Sequence, residues 1–246
     1  MTHSQKIGWE GCGCAGCVAQ SSGAAIALPR RRFLAAGAAT ALAGGVMLAA
    51  RPVRAQTSLG PDAALDRLMA GNARFVSGDL HSFREDLDVL KAGTVDKQEP
   101  FAAVLSCADS RVPVELVFDQ SIGHVFVTRV AGNVASTEMI ASLEYGAAVL
   151  GTPVIMVLAH QGCGAIKAAV GGKAVPGQIS ALYAPLRAAV EQGHHDYEAT
   201  ARINAQIQAE LLATASPVLS GLIGEGRLKI VAGYYSLDTG TVSLLS

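Results

Sequence analysis

The sequence predicts a three-layer α/β fold with a mainly parallel central β-sheet flanked by helices. Two apolar runs, FAAVLSC at 101–107 and PVIMVLA at 153–159, have the length and composition of buried strands. Segments with helical spacing of apolar residues lie between and around them. Strands that alternate with helices form parallel sheets covered on both faces, so this order favours the α/β class.

The individual elements follow in chain order. The first is a helix from Pro61 to Gly78, with apolar residues at helical spacing and a glycine as its stop signal. An alternating pattern around Asp238-Thr239-Gly240 predicts a terminal hairpin over 234–245. Strands are predicted at 101–107, 124–130, 153–159 and 228–232, and further helices at 112–119, 137–150, 164–171, 177–192 and 199–223.

Composition separates a leader from a folded body. The chain has 246 residues, of which 50% are hydrophobic, enough for one substantial domain with a sizeable core. The net charge of −1 argues against nucleic acid as a partner. Residues 1–55 hold six of the 19 Lys and Arg but one of the 20 Asp and Glu, which leaves 13 basic against 19 acidic residues in 56–246. A basic leader before an acidic body is typical of a targeting segment.

The leader contains an export pattern. Arg30-Arg31-Arg32-Phe33-Leu34 resembles the twin-arginine motif, and the small residues of Val53-Arg54-Ala55 form a cleavage pattern. The intervening apolar run, 35–50, has 16 residues, whereas a membrane-spanning helix needs ~20. We therefore expect 1–55 to be a leader and 56–246 a periplasmic or secreted domain without stable membrane insertion after processing. An uncleaved membrane anchor is the alternative.

The cysteines fall into two groups. Cys12, Cys14 and Cys17 lie in the leader, where three thiols could bind a soft metal ion or be incidental to a discarded tail. Cys107 and Cys163 are the two that remain, and they could form one disulfide. Their neighbours favour a metal site instead.

Polar residues follow two predicted strands at the point where each ends. Cys107 and Asp109 come at the end of the first apolar run, and His160 and Cys163 follow the second. Parallel α/β sheets place their ligands at the carboxyl ends of the strands. Thiolate, imidazole and carboxylate are zinc ligands, and four of them complete a tetrahedral site. The pattern therefore predicts a zinc site with Cys107, Asp109, His160 and Cys163 as its metal-binding residues, one ion per subunit.

Two segments resemble the paired signatures of β-class carbonic anhydrases. They are Cys107-Ala108-Asp109-Ser110-Arg111 and His160-Gln161-Gly162-Cys163-Gly164. Arg129-Val130-Ala131-Gly132-Asn133 and Glu144-Tyr145 are similar to segments of the same family, and the resemblance extends over nearly all of 56–246. It implies the reversible hydration of CO2 to bicarbonate and a proton.

The resemblance also implies roles for the site residues. Cys107, His160 and Cys163 would hold the zinc, and zinc-bound hydroxide would be the nucleophile. Asp109, paired with Arg111, would orient that hydroxide as the catalytic pair, or Asp109 would instead close the site as a fourth ligand. The closed form in the family is often linked to a tryptophan, and Trp9 in the leader is the only one here. This favours the open arrangement.

The same resemblance implies a substrate pocket and an assembly. Gln98, Phe126, Tyr145 and Gly164 match positions that contact CO2 or bicarbonate, with aromatic residues contributed partly by a neighbouring subunit. We therefore expect a homodimer or homotetramer.

Three alternatives remain open at this stage. A carbonyl sulfide or carbon disulfide hydrolase would share the fold and the zinc, and a non-catalytic zinc-binding protein would share the ligands. A redox protein using Cys107 and Cys163 is disfavoured, because their separation is unlike a Cys-x-x-Cys motif.

Overall fold

Five strands form one sheet in the computed structural model, which describes residues 57–82, 94–95 and 97–246. The sheet order is β2-β1-β3-β4-β5, with β1–β4 parallel and β5 antiparallel to β4. The strands are β1 Ala102–Ser106, β2 Val125–Arg129, β3 Val154–His160, β4 Lys229–Tyr235 and β5 Val242–Leu245. The predicted α/β class with a mainly parallel sheet is confirmed. The leader, its export motif and its three cysteines lie outside the described residues.

The two central strands carry the site, and their register explains why. Every residue of β1 and β3 is buried, as their unbroken apolar runs predict. Ser106 at the end of β1 pairs with Leu158 of β3. The residue after β1, Cys107, is therefore level with the end of β3, where His160 is the last strand residue.

Helices cover both faces of the sheet. Alternate strand residues point to opposite faces, so Val104 and Met156 pack in one core cluster and Leu105 and Val157 in the other. The first face is covered by α1 Pro61–Ser77 and α2 Val114–Val117. The second is covered by α3 Thr137–Glu144, α4 Gly164–Gly171, α5 Tyr183–Gln192, α6 Tyr197–Ala215 and α7 Pro217–Gly224.

Three predicted helices differ from those observed. The segment 199–223 is two helices, because the Ser216 side chain caps α7 and Pro217 begins it, and the two axes bend by 88°. The segment 137–150 ends in a π-helical turn, Tyr145–Val149, which carries Gly146 close against the Phe126 ring. The segment 177–192 begins as a 3-10 helix, Gly177–Leu182, before α5.

Among the described residues, no single helix combines the length and apolar composition needed to cross a membrane. The bent pair α6 and α7 meets that criterion only when the two helices are taken together.

Candidate metal centre

The structure brings together two cysteines and a histidine at the carboxyl edge of the sheet. Cys107 directly follows β1, His160 ends β3, and Cys163 precedes the first turn of α4. One ligating atom from each lies within 4.8 Å of the other two, and all three residues are buried. The strand register and the tight turn after β3 therefore bring two thiol groups and one imidazole to the same point.

The separation of the two sulfurs fits a shared cation. Cys107 Sγ and Cys163 Sγ lie 3.9 Å apart, and both cysteines are free. A disulfide would hold the sulfurs at about 2.05 Å. Two thiolates bound tetrahedrally to zinc, each at about 2.3 Å, would lie about 3.8 Å apart. The observed spacing excludes a disulfide and fits two ligands of one metal ion.

The His160 ring is oriented as a ligand. Its Nδ1 lies 2.9 Å from the carbonyl oxygen of Gln161, to which it donates in the tautomer that leaves Nε2 unprotonated. Within the described part of the chain, Nε2 is buried and has no hydrogen-bond partner. A buried nitrogen without a partner is costly, and a metal ion would satisfy it.

Backbone amides surround the two sulfurs. The Gly132 amide donates to Cys107 Sγ at 3.4 Å, and the amides of Ala165 and Ile166 at the start of α4 donate to Cys163, which partly offsets the rise in its pKa. The hydrogen bond between the thiols lowers the pKa of Cys107 to about 4 and, together with burial, raises the pKa of Cys163. A bound metal ion would displace the thiol protons, because cysteine binds metal ions as the thiolate.

Asp109 and Arg111 form a bidentate pair beside the cluster. Arg111 donates from Nε to Oδ1 at 2.9 Å and from Nη2 to Oδ2 at 2.7 Å, and its backbone amide donates to Oδ1 at 3.0 Å. These bonds hold the pKa of the Asp109 carboxyl well below its usual range. Oδ2 lies 3.9 Å from His160 Nε2 and accepts only one of these bonds, so it has acceptor capacity left on the side of the ligands.

Asp109 is not one of the three clustered ligands. Its carboxylate is instead occupied by Arg111, which also donates to the carbonyl of Gly162. This pairing is compatible with the open arrangement, and the role of Asp109 as an orienting residue or a fourth ligand stays a prediction.

Arg129 and Gln161 support the two halves of the site, and the sequence assigned neither a role. Arg129 donates from Nε to the Cys107 carbonyl at 2.9 Å and from Nη2 to the Asp109 carbonyl. The Gln161 side chain accepts from the Leu237 amide at 2.9 Å and donates to Asp238 Oδ2 at 2.6 Å, which ties the His160 turn to the β4–β5 turn. Both residues lie inside segments that resemble the family, but neither segment indicated these contacts.

The four residues expected to bind substrate are placed as follows. Phe126 is half-buried on β2, and its ring centroid lies 6.4 Å from that of Tyr145, which is 48% exposed. Gln98 and Gly164 are exposed in the protomer, and nothing lies within 4 Å of the position a Gly164 side chain would take. A substrate contact by any of them stays a prediction.

Comparison with known sequences gives consistent matches. A family model described as "Carbonic anhydrase" matches residues 102–242. "Carbonic anhydrase 2" of Mycobacterium tuberculosis is 35% identical over 194 residues, which cover 75% of this chain and 92% of the relative. A carbonic anhydrase of Mycolicibacterium smegmatis is 34% identical over 197 residues, which cover 76% of this chain and 94% of the relative.

Solved structures match the fold. A β-carbonic anhydrase of Aspergillus fumigatus has a TM-score of 0.60 and 24% identity, covering 74% of this chain and 90% of its own. One of two β-carbonic anhydrases from Sordaria macrospora described as tetrameric has a TM-score of 0.59 and 21% identity, covering 74% and 96%. The matched family model and the relatives show that the chain belongs to the carbonic anhydrase family, and its fold is that of β-carbonic anhydrases.

Proposed function

We propose that this protein is a zinc enzyme that hydrates CO2 reversibly to bicarbonate and a proton. The observation that carries the proposal is the position of Asp109 Oδ2, 3.9 Å from the unpartnered His160 Nε2 of the Cys-His-Cys cluster. A purely structural zinc site has its ligands satisfied and needs no carboxylate aimed at it. An ionised, rigidly held carboxylate beside three ligands fits a site that must orient a nucleophile.

Cys107, His160 and Cys163 would hold the ion. When bound, zinc would supply hydroxide at near-neutral pH by acidifying a water molecule. The two thiolates bring two negative charges into a buried site, and the backbone amides that point at them reduce the cost of that charge. Three protein ligands would leave the fourth position of a tetrahedral zinc site open for the reacting groups.

Asp109 and Arg111 would orient the nucleophile. Because the pKa of Asp109 is held low, its carboxylate stays ionised and can only accept a hydrogen bond. Both positions on Oδ1 are taken by Arg111 and Oδ2 accepts one bond from it, so Oδ2 is the oxygen available to accept a hydrogen bond from the attacking hydroxyl group. This acceptor fixes the direction of the nucleophile's lone pair toward CO2.

We further propose that Gln98, Phe126, Tyr145 and Gly164 form the pocket for CO2 and bicarbonate in a homodimer or homotetramer. Tyr145 and Val149, at the two ends of the π-helical turn, are 48% and 47% exposed in the protomer, as residues shared with a second subunit would be. The Sordaria relatives of similar fold are described as tetrameric.

The test measures zinc content and CO2 hydration on the full-length chain and on Cys163→Ser. Both are made with Cys12, Cys14 and Cys17 replaced by serine, so that zinc bound by the leader is not counted. We expect about one zinc per chain in the parent, and loss of zinc and hydration in Cys163→Ser, because structural and catalytic zinc sites need three or four protein ligands. Bound zinc without CO2 hydration would contradict the proposed reaction and point to a sulfur-containing substrate instead.

We also propose export of the folded protein by the twin-arginine route, on the basis of Arg30-Arg31-Arg32-Phe33-Leu34 and the pattern at 53–55. Replacement of Arg30 and Arg31 by lysine should retain an uncleaved precursor inside the cell, which fractionation and N-terminal sequencing would detect. Replacement of Arg51 by lysine is the matched control. Equal export of the Arg30/Arg31 variant would contradict the proposal.

A further inference from the structure

Helix α6 carries two amide side chains on its buried face. Asn204 is 0% exposed and Gln208 is 1% exposed, although their neighbours toward the sheet are Ala201, Ala205 and Leu212. Buried amides are costly unless every group finds a partner. Their partners therefore indicate why they are there.

Both amides bind the loop that follows β2. Asn204 Nδ2 donates to the Gly132 carbonyl at 2.8 Å, and Gln208 Oε1 accepts from the Ala135 amide at 2.8 Å. Gln208 Nε2 donates to Asn204 Oδ1 at 3.1 Å, which links the two side chains one helical turn apart. The pair thus holds the loop at both of its ends.

The loop needs this support because its backbone is strained. Gly132 and Asn133 are consecutive residues with positive φ, 77° and 44°. A side chain at position 132 would also meet Ala165 Cβ at 3.3 Å and Leu186 at 3.4 Å, closer than ordinary contact. Glycine is therefore the favoured residue at position 132.

The backbone conformation of Gly132 brings its amide N–H to the metal-site cysteine. Its amide donates to Cys107 Sγ at 3.4 Å, while its carbonyl is the group that Asn204 holds. The direction of the N–H depends on where the Gly132 Cα and carbonyl are fixed. A chain of hydrogen bonds therefore runs from Gln208 through Asn204 and Gly132 to the sulfur.

We infer that Asn204 and Gln208 are positioning residues that aim the Gly132 N–H at the Cys107 sulfur, and so set the electron donation of that sulfur to the bound metal ion. The inference rests on the proposed zinc function. A hydrogen bond to a ligand sulfur withdraws electron density from it, and groups that orient ligands in this way tune metal affinity.

The test uses Co²⁺ as the probe, because its thiolate charge-transfer bands report on the sulfur itself. In the full-length chain with the three leader cysteines replaced by serine, Asn204→Leu should move these bands to longer wavelength, since sulfur without its N–H donor gives up an electron more easily. Competition with a chelator should show Co²⁺ affinity reduced on the order of tenfold, because the buried thiolate loses the donor that stabilises its charge and orients it. Gln208→Met, which leaves the Asn204–Gly132 bond in place, should shift the bands less.

Asn72→Leu is the matched control. Asn72 is also a buried amide, donating to the Val117 and Gly240 carbonyls and accepting from the Val242 amide, but it belongs to α1 on the opposite face of the sheet. It should lower the unfolding midpoint without moving the bands or the affinity. Unchanged bands and affinity in both Asn204→Leu and Gln208→Met would overturn the inference. Failure of the parent chain to bind Co²⁺ would instead overturn the metal centre.

Discussion

Two aspartates of this chain are each paired with an arginine and each have a lowered pKa, yet they belong to different parts of the molecule. Asp109 lies beside the metal ligands, where the Arg111 guanidinium holds its pKa well below the usual range. Asp119 lies after α2. Burial alone would raise its pKa, but hydrogen bonds from Ser82, Arg74 and His81 outweigh burial and lower the pKa to about 2.

The two carboxylates differ in the hydrogen-bond acceptor capacity that their partners leave unused. The Asp119 side chain is 0% exposed, and its oxygens accept from the His81 amide, the Ser82 amide and hydroxyl, and Arg74. Asp109 is 17% exposed, and its Oδ2 retains acceptor capacity toward His160. A shifted pKa therefore marks strong hydrogen bonding in both places, whereas spare capacity beside unpartnered ligands marks the functional one.

The largest effect that follows from this comparison is on catalysis. Asp109→Asn should lower the CO2-hydration rate by about 10²-fold or more, because the amide no longer serves as an ionised acceptor held by Arg111. Zinc content should stay at the parental level, since the three clustered ligands are untouched. Stopped-flow hydration and metal analysis on the same sample measure both. A parental rate in Asp109→Asn would remove Asp109 from the mechanism.

The second effect is on stability. Asp119→Asn should lower the free energy of unfolding by about 2 kcal/mol, because it replaces a buried carboxylate that accepts several bonds with a neutral amide. Asparagine is the matched replacement, since Asp119 has φ of 45° and asparagine tolerates that conformation. Urea unfolding measures the change. The hydration rate per bound zinc should be unaltered, and a loss like that of Asp109→Asn would mean that the two pairs are not separate in function.

The sequence was informative where the chemistry is local. The apolar runs at 101–107 and 153–159 predicted buried strands, and β1 and β3 lie within or at the edge of those segments. The strand ends then placed Cys107 and His160 at one edge of the sheet, since parallel strands end together. Only the sheet register, with Ser106 opposite Leu158, had to come from the structure.

The supporting contacts could not be predicted, because they join residues far apart in sequence. Asn204 and Gly132 are separated by 72 positions, and Gln161 and Asp238 by 77. Asn204 and Gln208 lie among alanines on the buried face of α6, and that pattern does not indicate their partners. Pro217 did carry a local signal, because proline favours the first turn of a helix, and it marks the break between α6 and α7.

The smallest predicted effect is the pH dependence of the contribution that the Asp119 carboxylate makes to stability. The folded pKa of Asp119, about 2, is below the ordinary value of 3.8, so folding favours the ionised form and its contribution to stability is fully present above about pH 5. That contribution is lost as the pH falls toward the folded pKa, with roughly 1 kcal/mol gone by pH 3. The gap in unfolding free energy between the parent and Asp119→Asn should therefore narrow by that amount between pH 7 and pH 3, while titrations common to both proteins cancel. Urea unfolding at both pH values measures the gap. A gap that stays constant would mean that Asp119 is held by packing rather than by its charge.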